Sequence, residues 1–369
     1  MKVLTLTHYP YLPDGSLKPA GVETFFSWHD SALARAKIPH ENAFICSPDQ
    51  KAQAKRKNLL FATRARFYPS KDPVSLEHLL NIPILRPKIR KMFRDGKFDL
   101  CHANGEIYSM YCEKPTITHV HGSLNYASRM FSGKKSPKSI VASALAGKIS
   151  EIAARRSELL VFNTKMLSEI YPYSEKKVVI QHAVSKIAKS PGKLPKRTML
   201  CSVSRYIPLK RLDTLVSWFA QYSREIDKSA ELHMIGYGPL EDSLKALAKK
   251  EGAEKKIFFY RLSGPAEVRR AVSKMSALVT FEPAGLGYNG LESMAEGVPV
   301  IGVSGDCGCE RGAPIKEFSD KESFFSAVES LKHSDRISAR KHIEKFHSEK
   351  TVIEKYRKIY EQALSRGFR

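Results

Sequence analysis

No apolar run in this sequence is long enough to cross a bilayer, and the opening stretch MKVLTLTHYPYLPDG lacks the extended apolar core of a signal peptide. A membrane-spanning protein is not expected, and the chain is read as cytoplasmic. Cysteine is scarce: Cys46, Cys101, Cys112, Cys201, Cys307 and Cys309 are scattered mostly through apolar surroundings, which suits reduced thiols better than a disulfide framework. Cys307 and Cys309 are the one close pair, and no further Cys or His pair nearby completes a four-ligand zinc set, so no metal site is expected. No Gly-x-Gly-x-x-Gly follows the first strand, which disfavours hydride transfer on a dinucleotide. Acidic residues are also short, at 38 Asp plus Glu against 61 Lys plus Arg, leaving a formal charge of +23.

A balance this basic concentrates polyanions at the surface, whether nucleic acid, anionic lipid headgroups or a phosphorylated small substrate. The basic runs lie mainly in the first half. They comprise Lys51, Lys55, Arg56, Lys57, Arg64 and Arg66, then Arg86, Lys88, Arg90, Lys91, Arg94 and Lys97, then Lys134, Lys135 and Lys138. Each alone reads as a solvated helix face or loop; together they point to a polyanionic partner.

A length of 369 residues suggests two domains, and a hydrophobic share of 42% supplies both cores. From the first residues onward an apolar strand, a turn and a helix repeat. Strands are predicted at 3–7, 41–46, 98–103, 115–121, 159–163 and 177–181, with a helix opening at Gly21 and running to about Ala36. Residues 186–197, rich in Pro and Lys, read as a linker, after which the alternation restarts with strands at 198–204, 230–235, 256–260 and 277–281. The expectation is an α/β protein with two Rossmann-like domains whose parallel sheets face a cleft. Residues 1–185 form the first domain and 198–350 the second. A C-terminal crossover helix over 351–369, amphipathic through Val352, Ile353, Tyr356, Ile359, Tyr360 and Leu364, packs back across the other domain.

Three glycine- or cation-bearing loops follow strands of the second half. Ser204-Arg205-x4-Lys210 places two cations on a loop before a helix, suited to a leaving group that gathers negative charge. Gly236-Tyr237-Gly238-Pro239 is a second turn. Phe281 to Gly302 is the third: a glycine-rich turn, a short helix carrying Glu292, a stop at Gly297-Val298-Pro299, then an apolar strand. Glycines at 285, 287 and 290 let backbone approach a ligand closely at a helix start.

These motifs in this order resemble the second domain of the family-4 retaining glycosyltransferases of the GT-B fold. In the first half, Pro19-Ala-Gly21-Val-Glu-Thr-Phe25 is similar to that family's glycine loop, and His119-Val-His121-Gly to its segment bearing an active-site histidine. The resemblance implies a nucleotide-sugar co-substrate, a UDP-sugar, with no metal required. It implies that Arg205 and Lys210 grip the donor diphosphate, that Glu292 binds the ribose hydroxyls, and that Gly21, Gly285, Leu286 and Gly287 line the donor. His121 stands beside the transferred sugar.

The chain departs from the pattern twice. The family's first acidic residue, separated by seven residues from the match to Glu292, is replaced by Ala284; either a shifted loop brings the carboxylate of Glu282, two positions earlier, to the sugar, or the contact is lost. The usual Asn-Gly turn reads Gln181-His182-Ala183. The acceptor is expected to be a polyanion, foremost a hydroxylated or hydroxymethylated base in DNA flipped from its stack, with Asn125, Tyr126, Arg129 and Phe131 as stacking surface near His121. The alternatives are a lipopolysaccharide or glycolipid precursor on an anionic membrane, and a catalytically silent nucleotide-sugar or polyanion binder.

Overall fold

The computed structural model describes residues 1–8, 10–11, 21–46, 60–62, 76–113, 115–121, 137–169, 171–262, 264–281, 287–303 and 313–367. Two compact units result, Met1–Ile180 with Ile353–Arg369, and Gln181–Val352.

In the first unit the elements run β1 (Val3–His8), α1 (Gly21–Arg35), β2 (His40–Cys46), β3 (Leu60–Ala62), α2 (Leu76–Asp95), β4 (Leu100–Ala103), β5 (Thr116–Val120), α3 (Pro137–Arg156), β6 (Leu159–Phe162), α4 (Lys165–Glu169) and β7 (Lys177–Val179). The seven strands lie in the order β3-β2-β1-β4-β5-β6-β7, and every pair is parallel. Short β-branched and apolar segments make such strands because both faces are covered by helices. Along β4 the alternation is visible: Cys101 and Ala103 join an apolar cluster with Leu85, Ile89 and Phe93 of α2, while His102 points to the other face.

That other face is unusual. His29, His102 and His119 are all buried there, packed around Phe25 of α1. The helix α11 (Glu349–Gly367) closes over them with two tyrosines. The Tyr360 hydroxyl meets His29 Nε2 at 2.6 Å and His102 Nδ1 at 2.7 Å, and the Tyr356 hydroxyl meets His119 Nδ1 at 3.1 Å. The amphipathic pattern at the end of the chain therefore carries hydrogen-bond donors as well as apolar bulk.

The second unit repeats the topology with β8 (Met199–Val203), α5 (Leu212–Glu225), β9 (Glu231–Ile235), α6 (Glu241–Lys250), β10 (Ile257–Tyr260), α7 (Pro265–Val272), β11 (Ala277–Thr280), α8 (Gly287–Ala295), β12 (Val300–Val303), β13 (Ile315–Phe318), α9 (Lys321–Glu329) and α10 (His333–Phe346). Its six strands are ordered β10-β9-β8-β11-β12-β13, again all parallel. Leu200 and Val279 belong to one buried cluster and their neighbours Cys201 and Leu278 to another, so this sheet too is covered on both faces. Residues 186–197 form neither helix nor strand and are pinned to this unit, where Ala188 N–H donates to Ala295 O at 2.9 Å and Arg340 donates to Ala188 O at 3.1 Å. Strand β13 and helices α9 and α10 complete it.

Burial makes the histidine face acid-sensitive. From an ordinary value of 6.5, burial pushes His29 down to about 3 and His119 to about 4, and it holds His102 well below that value. Their protons are taken up by the unfolded chain before the folded one, so stability is complete above pH 6.5 and falls as pH drops through 6.5 towards 4. His40, raised by its hydrogen bond to Asp30, acts in the opposite sense, stabilising fully below 6.5 and losing that contribution as pH rises above it. Urea unfolding between pH 7 and 4 is expected to show steep loss of stability in that window, and His102→Gln should flatten the slope by about one proton.

Candidate active site

In both sheets the strand order reverses beside the first strand of the unit, between β1 and β4 and between β8 and β11. Crossovers leave such a point in opposite directions, so the carboxyl ends of the two strands stay open to a ligand.

In the second unit β8 ends at Val203 and passes into Arg205, which is exposed, and then into the short 3₁₀ turn Pro208–Lys210. The loop is anchored between the cations: Tyr206 is buried, its hydroxyl donates to Met234 O at 2.9 Å, and its N–H donates to Tyr237 O at 2.9 Å. Close approach explains the glycines of the neighbouring turn. A Cβ on Gly236, at φ +147°, would lie 1.9 Å from Ser204 O, and one on Gly238 would lie 2.5 Å from Tyr206 O. The two loops are thus locked together by backbone contact, and Arg205 stands on a rigid support.

Helix α8 is tied to the same point. Asn289 Nδ2 donates to Val203 O at 2.7 Å, bringing the first turn of the helix to the end of β8. Glu292 follows and lines a cavity of about 10 Å³ with Val203, Asn289 and Arg269, room for no more than one water. Burial raises the Glu292 carboxyl above its usual range, the cation of Arg269 counters this in part, and Glu296 adds to it. Tyr288 sits one turn before Glu292 with its hydroxyl buried and without a hydrogen-bond partner among the described residues. Its ring stacks on His182 at 4.1 Å and 20°. The departure at Gln181-His182-Ala183 therefore has a physical counterpart: the histidine supports the helix that carries Glu292.

In the first unit the carboxyl ends gather His8, Asn104, His121 and Asn163. His8 Nε2 meets Glu23 Oε1 at 3.0 Å, and Gly21 is the first residue of the same helix α1. Asn104 donates from Nδ2 to Thr7 Oγ1 at 3.1 Å, and its Oδ1 accepts from His121 Nε2. Asn163 Oδ1 accepts from His119 Nε2 at 2.5 Å, while its Nδ2 lies 3.5 Å from His121 Nδ1. These contacts are mutually consistent only if both histidines carry the proton on Nε2, with His119 Nδ1 accepting from Tyr356. The His119 and His121 rings stack at 4.1 Å and 7°, and Phe25 lies 4.8 Å from His121. His121 is thus held at both ring nitrogens and against two neighbouring rings.

The structure thus places Gly21 and His121 in one unit, and Arg205, Lys210, Gly287 and Glu292 in the other. Glu282, Ala284, Gly285 and Leu286 lie outside the described residues, as do Asn125, Tyr126, Arg129 and Phe131. Asn104, Asn163, Tyr288 and Asn289 were not legible beforehand, because a lone Asn or Tyr carries no spacing signal. Among the described residues no group of three or more His, Cys, Asp or Glu side chains is arranged to hold a metal ion; Cys307 and Cys309 lie outside them.

Residues 184–313 match the family model of the glycosyl transferases group 1. The chain carries a glycosyltransferase group 1 domain. It is 26% identical over 229 residues to the N-acetyl-alpha-D-glucosaminyl L-malate synthase of Bacillus anthracis, a match spanning 58% of this chain and 59% of that enzyme. The lipopolysaccharide outer core galactosyltransferase WaaB in its apo form superposes with a TM-score of 0.68 at 18% identity, covering 98% of this chain and 100% of that one. The pneumococcal O-GlcNAc transferase GtfA, in complex with UDP and GlcNAc, superposes with a TM-score of 0.69 at 13% identity over 99% of both chains. At these identities the likeness shows the fold, which is that of the GT-B glycosyltransferases.

The glycine contacts predict a sharp contrast. Gly236→Ala places a methyl group against Ser204 O in a backbone region that L residues avoid, and thermal unfolding should show a loss of more than about 2 kcal/mol. Gly252→Ala, at φ +69° with nothing within 4 Å, should lose only about 1 kcal/mol. Histidine ¹⁵N shifts are expected to report the Nε2–H tautomer for both His119 and His121.

Proposed function

We propose that this chain is a glycosyltransferase that moves a sugar with retention from a nucleotide-sugar donor, a UDP-sugar, to a hydroxyl of a polyanionic acceptor. The observation that carries the proposal is the convergence at one switch point of the Arg205 and Lys210 loop with the helix of Glu292, inside the stretch that matches the family model. Guanidinium and ammonium groups there suit a diphosphate, and fixed cations stabilise charge as it grows on the leaving phosphate. The Glu292 carboxylate accepts hydrogen bonds from the ribose hydroxyls, and Tyr288 supplies a buried hydroxyl beside it. The acceptor hydroxyl attacks the anomeric carbon from the face that the nucleoside diphosphate leaves, and the departing phosphate takes up the hydroxyl proton. His121, fixed by Asn104 and Asn163, borders the transferred sugar. No protein nucleophile is required, and rate enhancement comes from alignment and electrostatics.

The acceptor we favour is a hydroxylated or hydroxymethylated base in DNA, on the strength of the formal charge of +23 and its spread over several runs. The likeness to a lipopolysaccharide galactosyltransferase supports a second reading, a phosphorylated glycolipid precursor.

Release of UDP from a panel of UDP-sugars is expected to fall about 10²- to 10³-fold in both Arg205→Ala and Lys210→Ala. Unchanged turnover in the two variants would overturn the site, and donor binding without turnover in the wild type would make the chain a silent binder. Mass spectrometry of nucleosides from hydroxymethylated DNA incubated with the donor pool should reveal a sugar adduct; an adduct only on lipopolysaccharide precursors would select the second reading.

A further inference from the structure

The basic run over 86–97 resolves into two groups once α2 is placed. Leu85, Ile89 and Phe93 are buried in the core, so that face is spoken for. Arg86, Arg90 and Arg94 recur every four residues and line one recess of about 490 Å³ together with Ile82, Pro83 and Pro87. Residues four apart on a helix rise about 6 Å, so the guanidinium groups form a ladder of evenly spaced rungs. Lys88 and Lys91 are exposed but do not line the recess.

The ladder is short of negative charge. Arg90 is paired with Glu113, but neither Arg86 nor Arg94 makes an ion pair among the described residues. The Nε of Arg86 is buried without a hydrogen-bond partner among the described residues. Arg156, whose guanidinium is committed to Ser109 O at 3.1 Å and Cys112 O at 2.8 Å, adds a fourth cation beside them. Burial first, and then repulsion from Arg86 and Arg90, lower its proton affinity, with Cys112 and Glu113 countering in part. Unpaired donors crowded among like charges are what an anion would relieve.

We infer that Arg86, Arg90 and Arg94 form a docking track for the phosphodiester backbone of a nucleic-acid strand. The inference rests on the polyanionic-acceptor reading and deepens it. Guanidinium forks at one-turn intervals can each take a phosphate bidentately, while successive phosphates continue along the helix. The direction is useful. Helix α2 ends at Asp95 and feeds β4, so its Arg94 end lies at the amino edge of the sheet and its Arg86 end nearer the carboxyl edge, where Asn104 holds His121. A strand on the ladder is led towards that rim. A membrane surface fits this face less well, because the large exposed apolar side chains among the described residues, Met1, Ile226, Tyr237, Tyr260 and Ile337, all lie elsewhere.

The test is binding of a fluorescein-labelled DNA duplex, without donor, by anisotropy between about 50 and 200 mM salt. Arg86→Gln combined with Arg90→Gln and Arg94→Gln should lower the slope of log affinity against log salt by about 2 to 3, and Lys88→Gln with Lys91→Gln by less than about 1. Glu113→Gln, which frees Arg90 without removing a rung, should tighten binding severalfold. An unchanged slope in the arginine variant, equal losses in the lysine variant, or weaker binding in Glu113→Gln overturns the track. Ladder-dependent binding to phosphatidylglycerol vesicles that exceeds binding to DNA also overturns it, in favour of a membrane. UDP release from the donor alone is read in parallel and should persist in the ladder variants, so failure of the transferase reading shows there and failure of the track shows in the salt slope.

Discussion

Strands wound outward in both directions from a first parallel strand leave one place per sheet where no crossover covers the carboxyl ends. This chain makes that place twice, at β1 and β4 and at β8 and β11. The Arg205 and Lys210 loop and the helix of Glu292 meet at the second of these points. The local details serve the same end. Gly236 and Gly238 give up their side chains so that two loops can touch, and Asn289 pins α8 to the end of β8. Asn104 reaches across from β4 to steady His121 at the end of β5.

The two rims are built differently. Around Arg205 and Lys210 the support is backbone, through tight turns and carbonyl contacts, and Arg205 is exposed. Around His121 the support is side chain, an unbroken line of hydrogen bonds from Tyr356 through His119 and Asn163 to His121 and on to Asn104 and Thr7. An exposed cation can adapt to an anion, whereas a ring held at both nitrogens keeps one orientation. Helix α11 contributes Tyr356 to that line and Tyr360 to His29 and His102 beside it, so it takes part in ordering the His121 rim.

Charge supplies the third element. An excess of cations is costly unless it meets anions, and on α2 the arrangement concentrates that cost in one recess. Of the lysines and arginines between 86 and 97, only those repeating every four residues share it.

The alternation of strand and helix, the restart after residue 197, and the loops bearing Arg205, Lys210, Gly236 and Glu292 were all legible in the sequence. They are local signals: hydrophobic period, glycine in tight turns, and cations next to a strand end. What the linear order could not hold was everything made by residues far apart in the chain. Histidines 29, 102 and 119 share no signal along the chain; parallel pairing sets His102 and His119 on one face, and α11 brings two tyrosines to them. His182 read as a lost turn residue, and only its stacking on Tyr288 shows what it supports. The basic run over 86–97 was visible as charge, but which of its members act together depended on the face of α2 that the core had already taken. Periodicity and turn chemistry are written into neighbours along the chain; partners, burial and the sharing of a face exist only after the sheet has closed the distance between them.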